Sequence, residues 1–185
     1  MELFEAIFAR QSIGKVKPDP VAPELIERLL SAAVQAPNHY KVRPWRFVVI
    51  SGAAREELGE VLAQSLLAGN PSLPPEALAK ERAKPLRAPV LLAVAVEKPS
   101  EPKVSEIENI AAVAAACQNI LLAATALGLG AIWRTGAAAL DDRVKAWLGL
   151  EPDQHLLGLI YLGYPENPPP PVSRPGFEAH TTWKS

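Results

Sequence analysis

Cysteine, histidine and an excess of either charge are all scarce in this chain, and each scarcity removes a class of function. Cys117 is the one cysteine in 185 residues, so no intrachain disulfide is possible. Set in an apolar run, it is expected to act as a small hydrophobe with an unreactive thiol. The formal net charge is −1, which argues against a nucleic-acid binder that works by neutralising phosphates. The three histidines, His39, His155 and His180, are scattered, without the neighbouring ligands of a metal centre. The zinc-protease HExxH, CxxC, the GxxxxGK(S/T) phosphate loop and the GxSxG elbow are missing. Gly128-Leu129-Gly130 lacks the third glycine of a dinucleotide fingerprint, since Trp133 stands in its place, and it follows a helix instead of a strand. Met1 to Arg10 carries charges and no long apolar run, so no signal peptide and a cytoplasmic location are expected.

Hydrophobic residues are abundant at 49%, enough for a large core. Nineteen prolines stiffen the connections. The dominant stretch runs from Ala111 to Gly136. Its first part, Ala111 to Leu127, is apolar on every face except at Gln118, Asn119 and Thr125, and is rich in the helix formers alanine and leucine. A surface helix shows one apolar stripe; this one is expected to be buried all round. It serves either as the central helix of a single core or as one shared with a second subunit. It is too short and too polar at Gln118-Asn119 to be read as a membrane span. Gly128 and Gly130 close it, and a short strand, Ala131 to Trp133, delivers Arg134-Thr135-Gly136 to a glycine-lined edge suited to an anionic cofactor.

Elsewhere, apolar spacing predicts helices over Glu2–Arg10, from Pro23 to Gln35, over Ala53–Ala68, Glu76–Lys84 and Leu140–Leu148. Strands are expected over Arg46–Ile50, Val90–Val96 and His155–Leu162, the last two apolar enough to be covered on both faces. A proline-rich tail follows, with Trp183 expected to dock on a protein body. No internal repeat or domain boundary is visible, so residues 1–185 read as one domain. Arg10 and Ser12 sit on a turn where a forked cation and a hydroxyl can clasp a phosphate.

Arg10-Gln11-Ser12, Ala36-Pro37-Asn38-His39 with Arg43-Pro44-Trp45, Gly128 to Gly136 and Leu162-Gly163-Tyr164-Pro165 occur in order across the chain. Together they resemble the FMN-dependent nitroreductase family, in its small NAD(P)H nitroreductase branch. The resemblance implies an α+β fold, a mostly antiparallel central sheet flanked by helices, in an intertwined homodimer with FMN at the subunit interface. It implies an oxidoreductase that passes hydride from NADPH or NADH through FMN to nitroaromatics or quinones by a ping-pong route, with no membrane or nucleic-acid partner. The alternatives are a same-fold flavoprotein with another reaction, such as dehalogenation or flavin breakdown, and a non-catalytic flavin-binding dimer.

By resemblance, Arg10, Gln11 and Ser12 form the first FMN segment, and Gln35 and His39 reach FMN from the partner subunit, His39 as a candidate proton donor. Trp133, Arg134 and Thr135 pass the flavin, and Arg174 falls at a late phosphate-binding position. Ala123, Ala124, Thr125, Ala126, Leu127 and Gly128 match a stretch assigned to the nicotinamide cofactor. Where many relatives carry further basic residues, this chain has Gln11 and Gly14.

Overall fold

The structure is a computed structural model that describes residues 1–184, and at 139 and 140 the backbone alone. Helices are α1 (Leu3–Ala9), α2 (Pro23–Ala33), α3 (Ala54–Gly69), α4 (Pro75–Arg82), α5 (Glu106–Ala126), α6 (Ala137–Leu140) and α7 (Asp142–Trp147). Strands are β1 (Trp45–Ser51), β2 (Val90–Val96), β3 (Gly130–Arg134) and β4 (His155–Gly163). They form an antiparallel sheet in the order β1-β2-β4-β3. This is the expected α+β arrangement.

Every residue of β2 is buried, and its alternation divides the interior in two. Val90, Leu92, Val94 and Val96 face a core closed by α2 and α5, with Leu29, Val113, Cys117 and Ile120. Leu91, Ala93 and Ala95 face a second core with Leu58 and Leu62 of α3 and Val144 of α7. The near-continuous apolar run follows from this: a strand covered on both sides has no polar positions to offer. Burial pushes the Cys117 thiol up to about 12, so it stays protonated.

α5 starts on a capping box, in which the Ser105 backbone N–H donates to Glu108 Oε2 at 2.7 Å. It ends on Gly128 at φ +74°, where the Leu129 N–H reaches back to the Ala124 carbonyl at 2.8 Å. α5 is the one helix among the described residues long and apolar enough to cross a membrane, and its sheet-facing side lies in the core.

Within one chain the expectation of burial all round is not met. Ala111 and Gln118 are exposed, and Ala114, Ala115, Asn119, Leu122, Ala123 and Thr125 are half-buried. Alanine satisfies a helix facing either way, so composition alone did not separate the covered side from the open one.

Two further boundaries differ. α2 stops at Ala33, and Gln35 lies in a tightened last turn whose N–H groups bond three residues back. The helix expected over Leu140–Leu148 is broken by Asp141, which is extended and accepts from the N–H groups of Arg143 and Val144. An N-cap of this kind starts a new helix. Burial acts to raise the Asp141 carboxyl, but the Ser65 hydroxyl and these N–H donors outweigh it and hold it below the usual range.

β4 carries a bulge. Val94 pairs with Gly158 and Ala95 with Leu156, so Leu157 is the extra residue. Gly158 has φ +139°, and a Cβ there would stand 2.4 Å from the Arg134 carbonyl oxygen and 2.7 Å from Trp133 Nε1. Glycine is required twice over, by backbone conformation and by space. Gly158→Ala is expected to destabilise the fold by at least about 2 kcal/mol in denaturant unfolding. A loss under about 0.5 kcal/mol would show that the bulge relaxes freely.

Candidate functional site

Successive residues of a strand point to opposite faces, and this separates the neighbours Trp133 and Arg134. Trp133 packs with the α5-side core and donates its indole N–H to the Leu157 carbonyl at 3.1 Å, using the bulge as its seat. Arg134 turns to the other face, its guanidinium carbon 5.4 Å from the Tyr161 ring centre.

Arg134 edges a cleft of about 360 Å³ that also takes in Lys84, Arg87, Glu81, Thr135 and Tyr161. Three cations thus share it with one carboxylate, Glu81, which pairs with Lys84 at 2.6 Å. Arg134 Nε is buried and has no hydrogen-bond partner among the described residues. Buried polar atoms are seldom left this way, which makes Arg134 a candidate contact for an anionic or acceptor group. Burial raises the Tyr161 phenol, against the opposing pull of the Arg134 charge.

Lys84, Arg87, Glu81 and Tyr161 escaped the sequence reading. Residues Pro85–Arg87 form one turn of 3₁₀ helix, a geometry in which positions three apart eclipse. Two cations three apart on a proline-stiffened turn before the central strand were the available signal.

The Arg10–Gly14 segment adjoins this cleft. The Ile13 N–H bonds the Ala131 carbonyl at 2.9 Å, and a Cβ on Gly14 would stand 3.6 Å from Arg134 Nη2. Ser12 is exposed on the same turn. Arg10 opens onto a second, larger cleft of about 640 Å³, shared with Phe8, Gln118, Arg174 and Phe177 and lined by no carboxylate among the described residues. Arg174 donates to the carbonyls of Phe8 at 3.2 Å and Arg10 at 2.5 Å, and Gln11 Nε2 donates to the Pro170 carbonyl at 2.6 Å.

Gln35 and His39 are not brought to these clefts within one chain. Gln35 is exposed and bonds its own helix, at the Ser31 carbonyl. His39 lines a shallow groove with Pro37, Asn38 and the open side of α5, its Nδ1 3.5 Å from Glu108. Tyr40, Lys41 and Arg43 of this loop all have positive φ, at 48°, 56° and 52°. Such conformations are costly for residues other than glycine and collect at functional sites. Here the Asn38 side chain holds the loop by accepting the Arg43 N–H at 2.8 Å. Of the stretch Ala123–Gly128, Ala124 lies fully in the core and the Thr125 hydroxyl donates to the Leu121 carbonyl. Ala126 and Gly128 face solvent.

The model of the Nitroreductase family matches residues 7–164. The chain belongs to the nitroreductase family. An Escherichia coli (strain K12) protein provisionally named NAD(P)H nitroreductase YdjA is 31% identical over 166 residues, 90% of each chain. The crystal structure of a nitroreductase-like family protein from Bacillus cereus superposes with a TM-score of 0.84 at 23% identity, covering 100% of this chain and 96% of the other. A provisionally named nitroreductase from Desulfovibrio desulfuricans, solved in complex with FMN, gives a TM-score of 0.76 at 25% identity, covering 100% and 98%.

Within this nitroreductase fold Arg134 itself has no carboxylate partner among the described residues. Stacking on Tyr161 is worth about 0.5–2 kcal/mol, while an unpartnered buried donor costs about 1–3 kcal/mol. Arg134→Met is therefore expected to leave the stability of the ligand-free protein within about 1 kcal/mol of wild type in urea unfolding. A loss above about 3 kcal/mol would make Arg134 a structural residue.

Proposed function

We propose that this nitroreductase is an FMN-dependent NAD(P)H oxidoreductase of nitroaromatic or quinone acceptors, working as a cytoplasmic homodimer with FMN at the subunit interface. One observation carries the reading: Arg134, with a buried unpartnered Nε, stands with Lys84 and Arg87 beside the Arg10–Gly14 turn. A phosphorylated, electron-accepting ring system suits such a site at both ends. The FMN complex of the Desulfovibrio relative and the name of the Escherichia coli relative support it.

Arg10 and Ser12 would take the phosphate through charge-assisted hydrogen bonds, with Gln11 beside them. Arg134, Lys84 and Arg87 would meet the edge of the ring system where reduction deposits negative charge, and Thr135 offers a hydroxyl there. Bound FMN would supply the redox chemistry, accepting hydride from NADPH or NADH and delivering electrons to the acceptor. No protein nucleophile is required for this, in keeping with a sequence that carries none of the motifs that position one. Gln35 and His39 would come from the partner subunit, His39 adding aromatic surface and a proton donor. With no second nucleotide motif in the sequence, the donor and acceptor would use one slot in turn. Trp133 would support the site from behind, through its seat on the bulge, while Ala126 and Gly128 are the solvent-facing parts of the stretch Ala123–Gly128.

The purified protein is expected to be yellow, and its flavin absorbance to bleach on anaerobic addition of NADPH or NADH and return with menadione. Arg10→Ala is expected to weaken FMN binding by about 1.5–3 kcal/mol, the scale of a charged hydrogen bond. A colourless protein that takes up no FMN on reconstitution would sink the reading.

The dimer rests on uncovered apolar surface. Phe4 and Phe8 of α1 are 70% and 69% exposed, and Ile107 on α5 is 73% exposed. Leu3 and Val34 are exposed as well. So much apolar area marks an interaction site, and a second copy is expected to bury more than about 2,000 Å² in total. Light scattering at micromolar concentration is expected to give twice the chain mass. A stable monomer carrying FMN would contradict it.

A further inference from the structure

The C-terminal tail meets the body at the turn that leaves α1. Arg174 places Nη1 on the Phe8 carbonyl and Nη2 on the Arg10 carbonyl, 3.2 and 2.5 Å away, and the Gln11 side chain answers by donating to the Pro170 carbonyl at 2.6 Å. Carbonyls at a helix C-terminus have no partners within the helix, and a cation there is favoured by the helix dipole. A planar fork bridges two carbonyls two residues apart with its donors already spread, whereas a lysine ammonium would have to reach both from one point on a flexible stem. α1 has only seven residues and one buried side chain, Ala6, so little else fixes the backbone at its end.

We propose that Arg174 is a positioning residue: it fastens the tail across the end of α1 and so sets the Arg10–Gln11–Ser12 turn for the cofactor phosphate. The phosphate part rests on the function proposed above. This assigns Arg174 a different task from a direct phosphate contact, since its fork already serves two backbone oxygens. It also explains why Arg10 and Arg174 share a cleft without a carboxylate: one cation is left to meet the anion while the other holds the backbone from which it projects.

The test compares wild type, Arg174→Ala, Arg174→Lys, Arg10→Ala and the Arg10→Ala/Arg174→Ala double variant. Affinities for FMN and riboflavin are read from quenching of flavin fluorescence. Chymotrypsin cleavage after Phe177, which is 62% exposed, is timed on the flavin-free proteins.

Positioning predicts that Arg174→Ala and Arg174→Lys both weaken FMN about tenfold while changing riboflavin less than about twofold. It predicts that Arg174→Ala adds little once Arg10 is gone, and that cleavage after Phe177 speeds up in both Arg174 variants. Additive losses with near-normal FMN affinity in Arg174→Lys would make Arg174 a phosphate ligand and overturn the proposal. Unchanged FMN affinity in Arg174→Ala, or unchanged cleavage, would overturn it too. A wild-type protein that binds neither flavin removes the cofactor reading, and the tail anchor then stands or falls on the cleavage rates.

Discussion

β2 must be covered on both faces, and the rest of the molecule answers that requirement. Seven consecutive buried residues call for a helical layer on each side of the sheet. α5 with α2 supplies one and α3 with α7 the other. β3 is left at the sheet edge, where α5 delivers it after a glycine-closed turn. An edge strand is where a polar side chain can leave the sheet plane without entering a core, and Arg134 does so. The bulge at Gly158 completes the arrangement, because it makes room for the Trp133 indole on one face while Arg134 takes the other.

Charge is concentrated where packing does not use it. Lys84 and Arg87 leave a rigid proline turn, Arg134 leaves an edge strand, and Arg10 leaves the end of a short helix. None of the three arginines has a carboxylate within ion-pair distance among the described residues. Gathering like charges raises the energy of the empty protein and lowers that of an anionic complex by the same electrostatics. The strained loop at Tyr40–Arg43 follows a related logic, with conformational energy held in place by Asn38.

The surface is unbalanced in the same way. α1 has its phenylalanines outward and buries only Ala6, and α5 leaves a row of alanines with Gln118 on its open side. An alanine-rich face lets another backbone come close with little side-chain entropy to lose. The same composition that made α5 look buried everywhere is what makes its open side suitable for a second helix.

What the amino-acid sequence determined by itself was local and periodic. The double-sided strand Val90–Val96, the glycine stop of α5 and the inert Cys117 follow from hydrophobic period, helix termination and burial preference, which act within a few residues. The resemblance also supplied Arg10, Ser12, Arg134 and Arg174 as residues to watch. Tertiary structure decided what depends on which way a side chain leaves the backbone and what meets it. Trp133 and Arg134, adjacent in sequence, were separated by strand alternation. Lys84, Arg87 and Tyr161, distant in sequence from Arg134, were joined to it by the sheet register. Arg174 was given to the end of α1, and Gln35 and His39 were kept away from the cationic cleft of their own chain. The physical reason is the same in each case: periodicity fixes the spacing of side chains along an element, whereas contacts across elements are fixed only when the two cores close around β2.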